Sequence, residues 1–356
     1  MNDLPYWLAL NRVSVLGARR IRHLVTTYGS AKKAFTQEAE KLDEAGLPPK
    51  VTATFIRERG RIEPQQEWQH CLDLGLSVLT LADAHYPQLL REIYDPPAVL
   101  YYRGDLDALL QSGIAIVGSR KATAYGRAVA DKMAYELAQA GNVVVSGMAR
   151  GIDTCAHLGA LRAPGKTVAV LGCGLDVCYP PENRGLREKI VRSGAVISEF
   201  APGVQPKPGH FPMRNRIISG LTRAVVVVEA AEKSGALITA DCALEQGREV
   251  FAVPGSIHSP SSRGCHRLLK EGAAVAENAA DIMLTMGQIP FEEVAATSQF
   301  TSAQATLLAV LEYEPVHFDQ IIARSEFSAA ELSSLLVELE LGGYLKKLSG
   351  NFYLRV

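Results

Sequence analysis

Ile114-Ala-Ile-Val-Gly-Ser-Arg120 is the stretch of sequence that decides the fold. Four apolar residues followed by Gly118 are typical of a strand buried in a parallel sheet, and a helix is expected to begin just beyond them. A helix N-terminus presents unpaired backbone N–H groups and a positive dipole end, which favour anions. Arg120 adds a permanent charge whose planar donor fork suits phosphate oxygens. An ordinary strand-to-helix turn with a surface arginine fits the same residues equally well.

At three other places in the chain, a glycine or an arginine again lies beside an apolar run. Gly147-Met-Ala-Arg150 follows Val143–Ser146, and Ser234-Gly235 follows Val225–Val228, whereas Arg214-Asn215-Arg216 precedes an isoleucine pair. The carboxyl ends of parallel strands meet at one edge of an open α/β sheet, where ligands bind. Four such junctions with arginines nearby favour a phosphate-lined groove.

Residues 112–285 alternate short apolar segments with segments of helical pattern. This alternation predicts an α/β fold with a doubly wound parallel sheet. The predicted strands are 114–117, 143–146, 167–171, 195–198, 224–228 and 249–253. We place the core at 86–285, with an extended connector at its start in which prolines forbid a continuous helix.

The composition limits the classes of function. The chain has 356 residues, enough for two or three domains, and 47% of them are hydrophobic. A net charge of −1 argues against capture of duplex DNA or membranes by bulk charge, but it permits a local basic groove. The six cysteines lack disulfide or CxxC spacing, so free thiols in a cytoplasmic protein are expected. Neither a signal peptide nor a membrane-spanning segment is expected.

Residues 1–85 are predicted to be helical, with apolar residues at helical spacing in 6–10, 18–28 and 31–39. Val15-Leu-Gly-Ala18, followed by two arginines, resembles the turn of a helix-hairpin-helix. The second glycine of a strong hairpin signature is missing. We therefore interpret this domain as a small helical scaffold first and a DNA contact second.

The C-terminal part of the chain is predicted to form a separate domain. Residues 286–300 are a polar linker, and 301–356 have the pattern of a winged helix-turn-helix. Its helices are expected at 303–311, 318–323 and 329–341. Ser328 and Glu331 form a capping box before the third helix, and Ser349-Gly-Asn351 indicates a hairpin.

The third of these helices would be the DNA-reading helix of such a domain. A helix of that kind usually carries arginine, lysine, asparagine or glutamine. Residues 329–341 instead carry Glu331, Glu338 and Glu340 and no basic residue. The charges favour a protein-contacting role over DNA recognition.

Five motifs occur in order along the core. They are Gly118-Ser-Arg120, Ser146-Gly-x-Ala-Arg-Gly-Ile-Asp153, Phe211-Pro-x-Arg-Asn-Arg-x-Ile-x-Gly-Leu221, Ser234-Gly-x-x-x-Thr-Ala240 and Val253-Pro-Gly255. Together they resemble the DNA-processing protein A family, also called DprA or Smf. The resemblance covers the core densely and fits all three domains. It implies an extended Rossmann-like core between an N-terminal helical domain, of the SAM or helix-hairpin-helix kind, and a C-terminal winged helix.

The resemblance also implies a function. Members of the family bind single-stranded DNA in natural transformation, protect incoming strands and load RecA recombinase onto them, where single-strand-binding protein is a further partner. They dimerise through the core and need no cofactor or metal, which implies a binding protein rather than an enzyme. One departure concerns Tyr179-Pro180, which related proteins follow with a lysine and this chain follows with Pro181. Arg184 or Lys207 is available to supply that charge.

Single strands are expected to cross the carboxyl edge of the core sheet. Arg120, Arg214 and Arg216 would hold phosphates, and Phe211 would stack a base unless it is a core aromatic. Backbone N–H groups are expected to assist at Gly118, Ser119, Gly147 and Gly235. The remaining members of the predicted DNA-binding surface are Arg150, Lys207 and Asn215.

The segment Gly264–Gly272 is predicted to be a helix ended by glycine, and a strand-like segment, 273–276, follows it. An uncovered edge strand favours pairing with a second copy of the chain. The resemblance points to this segment as the dimer surface, overlapping the recombinase contact, with His266, Leu269 and Val275 in it. The two apolar residues fit a core position equally well.

Two enzyme classes compete with this interpretation. An NAD-linked enzyme needs G-x-G-x-x-G at the first strand-helix turn, which here reads Gly118-Ser-Arg-Lys-Ala-Thr123. The main alternative is a nucleotide-binding hydrolase, because the core looks similar to phosphoribohydrolases of the same Rossmann type. Those enzymes carry Pro-Gly-Gly-x-Gly-Thr-x-x-Glu, whereas Glu232–Thr239 lacks the glycine pair and the catalytic glutamate.

Smaller signals are open to two interpretations. Asp153 and His157 are spaced as an acid/base pair, but a helix N-cap beside a hydrogen-bonded histidine is the preferred interpretation. Cys155 with His157, and Cys265 with His266, lack a second pair at zinc spacing, so buried thiols are favoured over a metal site. A winged helix also permits a transcription factor, against which the acidic helix argues.

Overall fold

A computed structural model of the protein describes residues 3–288, 301–311 and 315–355. Most of the predicted linker, 286–300, lies outside the described residues. The N-terminal domain is helical, and its six described helices are α1 (Leu4–Arg12), α2 (Ala18–Tyr28), α3 (Ala31–Thr36), α4 (Ala39–Glu44), α5 (Pro49–Arg59) and α6 (Pro64–Asp73).

A sheet runs through the core. Its strands, among the described residues, are β1 (Ser77–Thr80), β2 (Val99–Gly104), β3 (Gly113–Val117), β4 (Val144–Ser146), β5 (Thr167–Val170), β6 (Ala195–Ser198), β7 (Thr222–Val227), β8 (Glu249–Ala252) and β9 (Ala274–Val275). Their order in space is β1-β2-β6-β5-β4-β3-β7-β8-β9. The chain runs outward from β3 to β6 and then returns to the other side of β3 at β7. The switch point of the doubly wound sheet therefore lies between β3 and β7.

Helices cover both faces of this sheet. They are α7 (Gln88–Arg91), α8 (Asp107–Leu110), α9 (Ala124–Gln139), α10 (Ile152–Arg162), α11 (Arg184–Ser193), α12 (His210–Gly220), α13 (Gly235–Glu245), α14 (Arg263–Lys270) and α15 (Ala279–Thr285). Ile114 and Ile116 of β3 pack with α9, α10 and α15, while Ala115 and Val117 pack with α12 and α13 on the opposite face. Because both faces are buried, the strands consist of apolar runs instead of alternating patterns.

All six predicted strands are confirmed, and so is the doubly wound α/β core. Two predictions are wrong at one place: the sheet is not wholly parallel, and residues 1–85 are not wholly helical. β1 lies inside 1–85, β2 lies inside the predicted connector, and both join the sheet antiparallel. The four residues of β1 are too few for their pattern to distinguish strand from helix, and pairing with β2 decides between them.

The N-terminal helices share a hydrophobic cluster with the end of the sheet. Trp7 and Leu8 of α1 pack into the same cluster as Tyr101 of β2, Val196 of β6 and Ile190 of α11. Asn11 also donates through Nδ2 to the backbone carbonyl of Glu199, just beyond β6, at 3.0 Å. These contacts hold the N-terminal domain against the β2–β6 end of the sheet.

The winged helix has the predicted three helices and hairpin. Its elements are α16 (Ser302–Val310), β10 (Val316–His317), α17 (Phe318–Arg324), α18 (Ala329–Leu341), β11 (Leu345–Leu348) and β12 (Phe352–Arg355). The capping box at Ser328 and Glu331 is confirmed, because the hydroxyl accepts from one backbone N–H and the carboxylate from the other. β10 is not predicted, since two residues carry no pattern; it pairs with β12. Glu331, Glu338 and Glu340 are exposed.

Two helical glycines provide a test of how tightly α10 packs on α9. A Cβ atom at Gly159 of α10 would lie 2.1 Å from the backbone oxygen of Asp131, whereas one at Gly185 of α11 would meet nothing within 4 Å. Gly159→Ala is therefore expected to lower the free energy of unfolding by about 1–3 kcal/mol. The control Gly185→Ala should raise it by up to about 1 kcal/mol, because alanine favours the helix. Urea unfolding followed by circular dichroism measures both, and equal shifts would contradict the packing described.

His157 of α10 is fully buried in the core. Its Nδ1 lies 2.7 Å from the Thr167 hydroxyl, which itself donates to the carbonyl of Val144, so the imidazole donates to Thr167. Burial, assisted by the charge of Arg214, lowers the pKa of His157 to about 3. The hydrogen-bonded histidine of the preferred interpretation is thus found.

This histidine should make stability depend on pH. Between the unfolded pKa of about 6.5 and the folded one, the unfolded chain binds a proton that the native state does not, so stability falls as pH falls. From pH 7 to pH 5 the wild type is expected to lose about 1–2 kcal/mol more than His157→Gln. Denaturant unfolding at the two pH values checks this. Parallel losses in the two proteins would exclude the effect.

Candidate nucleic-acid interface

A groove of about 610 Å³ opens at the switch point between β3 and β7. The loop after β3 forms one wall, the turn into α13 forms the other, and the first turns of α12 lie between them. The charged side chains among its described lining residues are Arg120, Lys121, Asp153, Arg214 and Lys233. Four cations against one carboxylate give the groove a positive potential, at the position where open α/β sheets bind ligands.

Arg214 is the buried cation of this groove. Only 4% of the residue is exposed, and no described residue accepts a hydrogen bond from its Nε or Nη1. A Cβ atom at position 147 would lie 1.4 Å from Nη1, so only glycine lets the guanidinium occupy this place. Burial lowers the pKa of Arg214, and the charge of Asp153 opposes this change. A buried charged donor without an acceptor is costly, so this geometry favours an anionic ligand.

Asp153 fixes the loop that carries Gly147. The prediction that it caps α10 is wrong, because the N-cap is Gly151 and Asp153 lies in the first turn. Its carboxylate folds back to accept from the backbone N–H groups of Gly147 and Ala149 at 3.2 and 3.3 Å. Burial raises the pKa of Asp153, which the nearby Arg214 opposes. Since the N–H of Gly147 is engaged, it is not free to assist a phosphate as the sequence predicts.

Phe211 and Arg120 lie together at the mouth of the groove. The Arg120 guanidinium carbon is 5.0 Å from the centre of the Phe211 ring, a cation–π arrangement. Tyr179 also lies beside this ring, tilted against it, with centroids 5.6 Å apart. Phe211 is half-buried, and its neighbour Pro212 is exposed, so it is not a core aromatic. Arg150 lines the small cleft beside this ring but forms an ion pair with Glu182.

The walls of the groove are held by residues to which sequence reasoning assigned no role. Glu229, buried just after β7, accepts hydrogen bonds from the backbone N–H of Thr123, at 2.9 Å, and from its hydroxyl. This contact joins the segment after β7 to the start of α9 and so fixes the end of the loop that leads from β3 into α9. The available signal was a carboxylate placed directly after an apolar strand. Lys121 and Lys233 also line the groove, and the only sequence signal for them was their position beside the glycine turns.

The predicted DNA-binding residues divide into three groups. The structure brings together at the groove Gly118, Ser119, Arg120, Phe211, Arg214, Asn215 and Gly235. Gly147 and Arg150 line the adjoining cleft. Arg216 and Lys207 lie outside both. Asn215 donates to the carbonyl of Gly235 at 3.2 Å and so holds α12 against the start of α13.

Arg216 points away from Arg214 although the two are close in sequence. It forms an ion pair with Glu199 and lies 3.7 Å from the carboxylate of Asp95. Its charge is therefore balanced by two carboxylates. Lys207 is exposed on the loop before α12, and Arg184, the other candidate for the missing lysine, is exposed at the start of α11.

The predicted edge segment lies at the end of the sheet. β9 is the last strand of the described sheet, beside β8. Val275 is 49% exposed, which excludes a core position, whereas Leu269 is half-buried against the core. His266 Nε2 lies 3.0 Å from the carbonyl of Gly255. Among the described residues, no group of three or more histidine, cysteine, aspartate or glutamate side chains is placed to hold a metal ion, and no helix has the length and apolarity to cross a membrane.

Comparison with known proteins identifies the family. The profile of DNA recombination-mediator protein A matches residues 77–287, and that of the DprA winged helix domain matches 292–351. Protein Smf of Synechocystis is 35% identical over 394 aligned positions, which cover 99% of each chain.

Two solved structures are similar as well. DNA processing protein A from Streptococcus pneumoniae has a TM-score of 0.70 at 37% identity, covering 82% of this chain and 99% of that one. The protein of the same name from Helicobacter pylori, described for its single-stranded DNA binding mode, has a TM-score of 0.54 at 31% identity and covers 59% of this chain and 95% of that one. The family resemblance predicted from the motifs is thus confirmed, and this chain belongs to the DprA/Smf family of DNA recombination-mediator proteins.

Proposed function

We propose that the groove binds single-stranded DNA, with Arg214 as the central phosphate ligand. The observation that carries this proposal is the buried guanidinium of Arg214, whose Nε and Nη1 have no acceptor among the described residues and which lines a positively charged groove at the switch point. A phosphate oxygen would accept from it in a charge-assisted hydrogen bond. Arg120, and the backbone at Gly118, Ser119 and Gly235, would contact the neighbouring phosphates. Arg216 is left out because Glu199 and Asp95 already balance its charge.

The aromatic cluster favours a single strand over a duplex. Phe211 is half-buried and lines the groove, and a base can stack on its ring only when that base is unpaired. Arg120 lies over the same ring, so one side chain would contact a phosphate and support the stacked base. The Helicobacter pylori relative is described as binding single-stranded DNA, which agrees with this choice.

The hydrogen bonds of Asp153 and Glu229 favour DNA binding over the hydrolase alternative. Hydrolysis of a nucleotide needs a carboxylate free to act on the substrate. Asp153 accepts from two backbone N–H groups, and Glu229 is buried against Thr123. These two carboxylates therefore stabilise the loops of the groove.

Substitution of Arg214 tests the proposal. Arg214→Ala is expected to weaken oligothymidylate binding by about ten- to a hundredfold, because a hydrogen bond to a charged group contributes about 1.5–3 kcal/mol. The salt dependence, the slope of log K against log salt concentration, should fall by about 0.7 for each lost phosphate contact. Arg214→Lys keeps the charge without the fork and should lie between. Fluorescence anisotropy at two salt concentrations measures both quantities.

The matched control lies on the same helix. The double variant Arg216→Gln, Glu199→Gln removes both members of the buried ion pair, and the Asp95 carboxylate that loses its partner is 37% exposed. It should keep the affinity and salt slope of the wild type. A loss as large as that of Arg214→Ala would assign the phosphate contact to Arg216 and contradict the geometry proposed here.

We further propose that the protein acts in natural transformation, protecting incoming single strands and loading RecA recombinase onto strands that single-strand-binding protein covers. Family membership supports this role. We also propose that two copies pair through the β9 edge, with His266, Leu269 and Val275 in the interface. An exposed apolar side chain on an edge strand supports this pairing.

A charge at Val275 tests the dimer and its role together. Val275→Glu should stay folded, because the side chain is half exposed, and should sediment as a monomer. It should also bind long single strands more weakly, since two grooves on a dimer add avidity, and accelerate RecA filament growth less than the wild type does. Val337→Glu, at a 55% exposed valine of α18, is the control. Equal molar mass and equal filament growth for the two variants would refute the interface.

A further inference from the structure

A second basic surface lies outside the groove, in the N-terminal domain. Arg19, Arg20, Arg22 and His23 of α2 surround a cavity of about 750 Å³, whose opposite wall is 46–48. We call these four side chains the α2 basic cluster. All four are exposed, so they add nothing to the hydrophobic cluster that holds the domain together. Between Asn11 and Gln37 the sequence carries six lysines and arginines and no carboxylate.

The arginines of the α2 basic cluster are not neutralised by the protein. Among the described residues, no carboxylate oxygen lies within 4.0 Å of Arg19, Arg20 or Arg22. Arg19 lies over the ring of Tyr94, at 4.5 Å, and Arg20 donates to the carbonyl of Val15 at 2.8 Å. Among the described residues that line the cavity, the one carboxylate is Asp95, which forms an ion pair with Arg216.

The α2 basic cluster lies near the same edge of the sheet as the groove. The end of α1 is fixed just beyond β6, where Asn11 donates to the carbonyl of Glu199 and Arg12 to that of Pro202, at 3.0 and 3.1 Å. Only β5 separates β6 from β4, whose end carries Gly147. Because neighbouring strands are about 4.8 Å apart, the two ends are separated by about 10 Å. Helix α12 spans the same interval, with Arg214 in the groove and Arg216 on Asp95 of the cavity wall.

We propose that a single strand leaving the groove continues across the ends of β5 and β6 and is held by the α2 basic cluster through its phosphates. The inference rests on the proposed function and extends it, because the N-terminal domain becomes the second half of one binding surface. Its contacts are to phosphates, so they carry no sequence preference. Short strands would occupy the groove alone, and longer strands would occupy both parts.

The experiment compares strand lengths in the full-length protein. Single-strand-binding folds occupy about 4–16 nucleotides, so an oligothymidylate of about 6 nucleotides is short enough for one site and one of about 25 exceeds it. The variant Arg19→Gln, Arg20→Gln, Arg22→Gln removes three charges from the cavity. The control Lys32→Gln, Lys33→Gln, Arg57→Gln removes three exposed charges from the same domain, away from the cavity. Fluorescence anisotropy gives the affinity and salt slope of each protein for each strand.

The arginine variant should bind the long strand at least tenfold more weakly, with a salt slope lower by about 2, since three lost contacts each contribute about 0.7. Its affinity for the short strand should equal that of the wild type, and the control should match the wild type on both. Equal losses in variant and control, or no loss on the long strand, would overturn the inference. Failure of the proposed function is a separate result, in which Arg214→Ala leaves the affinity for the short strand unchanged.

Discussion

The arrangement of the groove depends on one contact, in which the guanidinium of Arg214 is buried against the backbone of Gly147. Removing such a charge from water costs on the order of several kcal/mol even after relaxation. Arg214 can occupy that place only because position 147 has no side chain, and Gly147 stays in place because Asp153 accepts from its N–H. Three residues from two motifs thus form one unit. A change at any one of them therefore removes a contact that positions another.

The same apolar runs that define the sheet also place this unit. β3 and β7 are buried on both faces, so their register is fixed by packing from two sides, and the loops at their carboxyl ends emerge at fixed positions. Glu229 then ties one of those loops to α9. A binding surface assembled from loops is in this way given the precision of the sheet beneath it. Such positioning would matter for the single strand proposed to bind here, because its phosphates supply no rigid template of their own.

Much of the fold was predictable because buried parallel strands leave continuous apolar runs followed by glycine turns. β1, β2 and β10 were not, since their state is decided by pairing with residues distant in the chain. The site was predictable to the level of its motifs: both Arg214 and Arg216 carry charge, and spacing alone does not reveal which one is free. That difference rests on Glu199 and Asp95, which no local pattern connects to α12. Likewise, the N-cap predicted at Asp153 failed because its carboxylate serves the preceding loop instead of the helix.

The hydrophobic cluster shared by α1, β2, β6 and α11 bears on how this architecture can change in evolution. The N-terminal domain is not a detachable module, because the apolar side chains that close its interior also cover one end of the core sheet. A lineage that lost the domain would uncover apolar side chains of β2, Tyr101 among them, unless polar residues replaced them. Gene fusion or truncation at this boundary therefore requires coordinated substitution on both sides. The two domains share one packed cluster, so their boundary cannot be drawn from position in the chain alone.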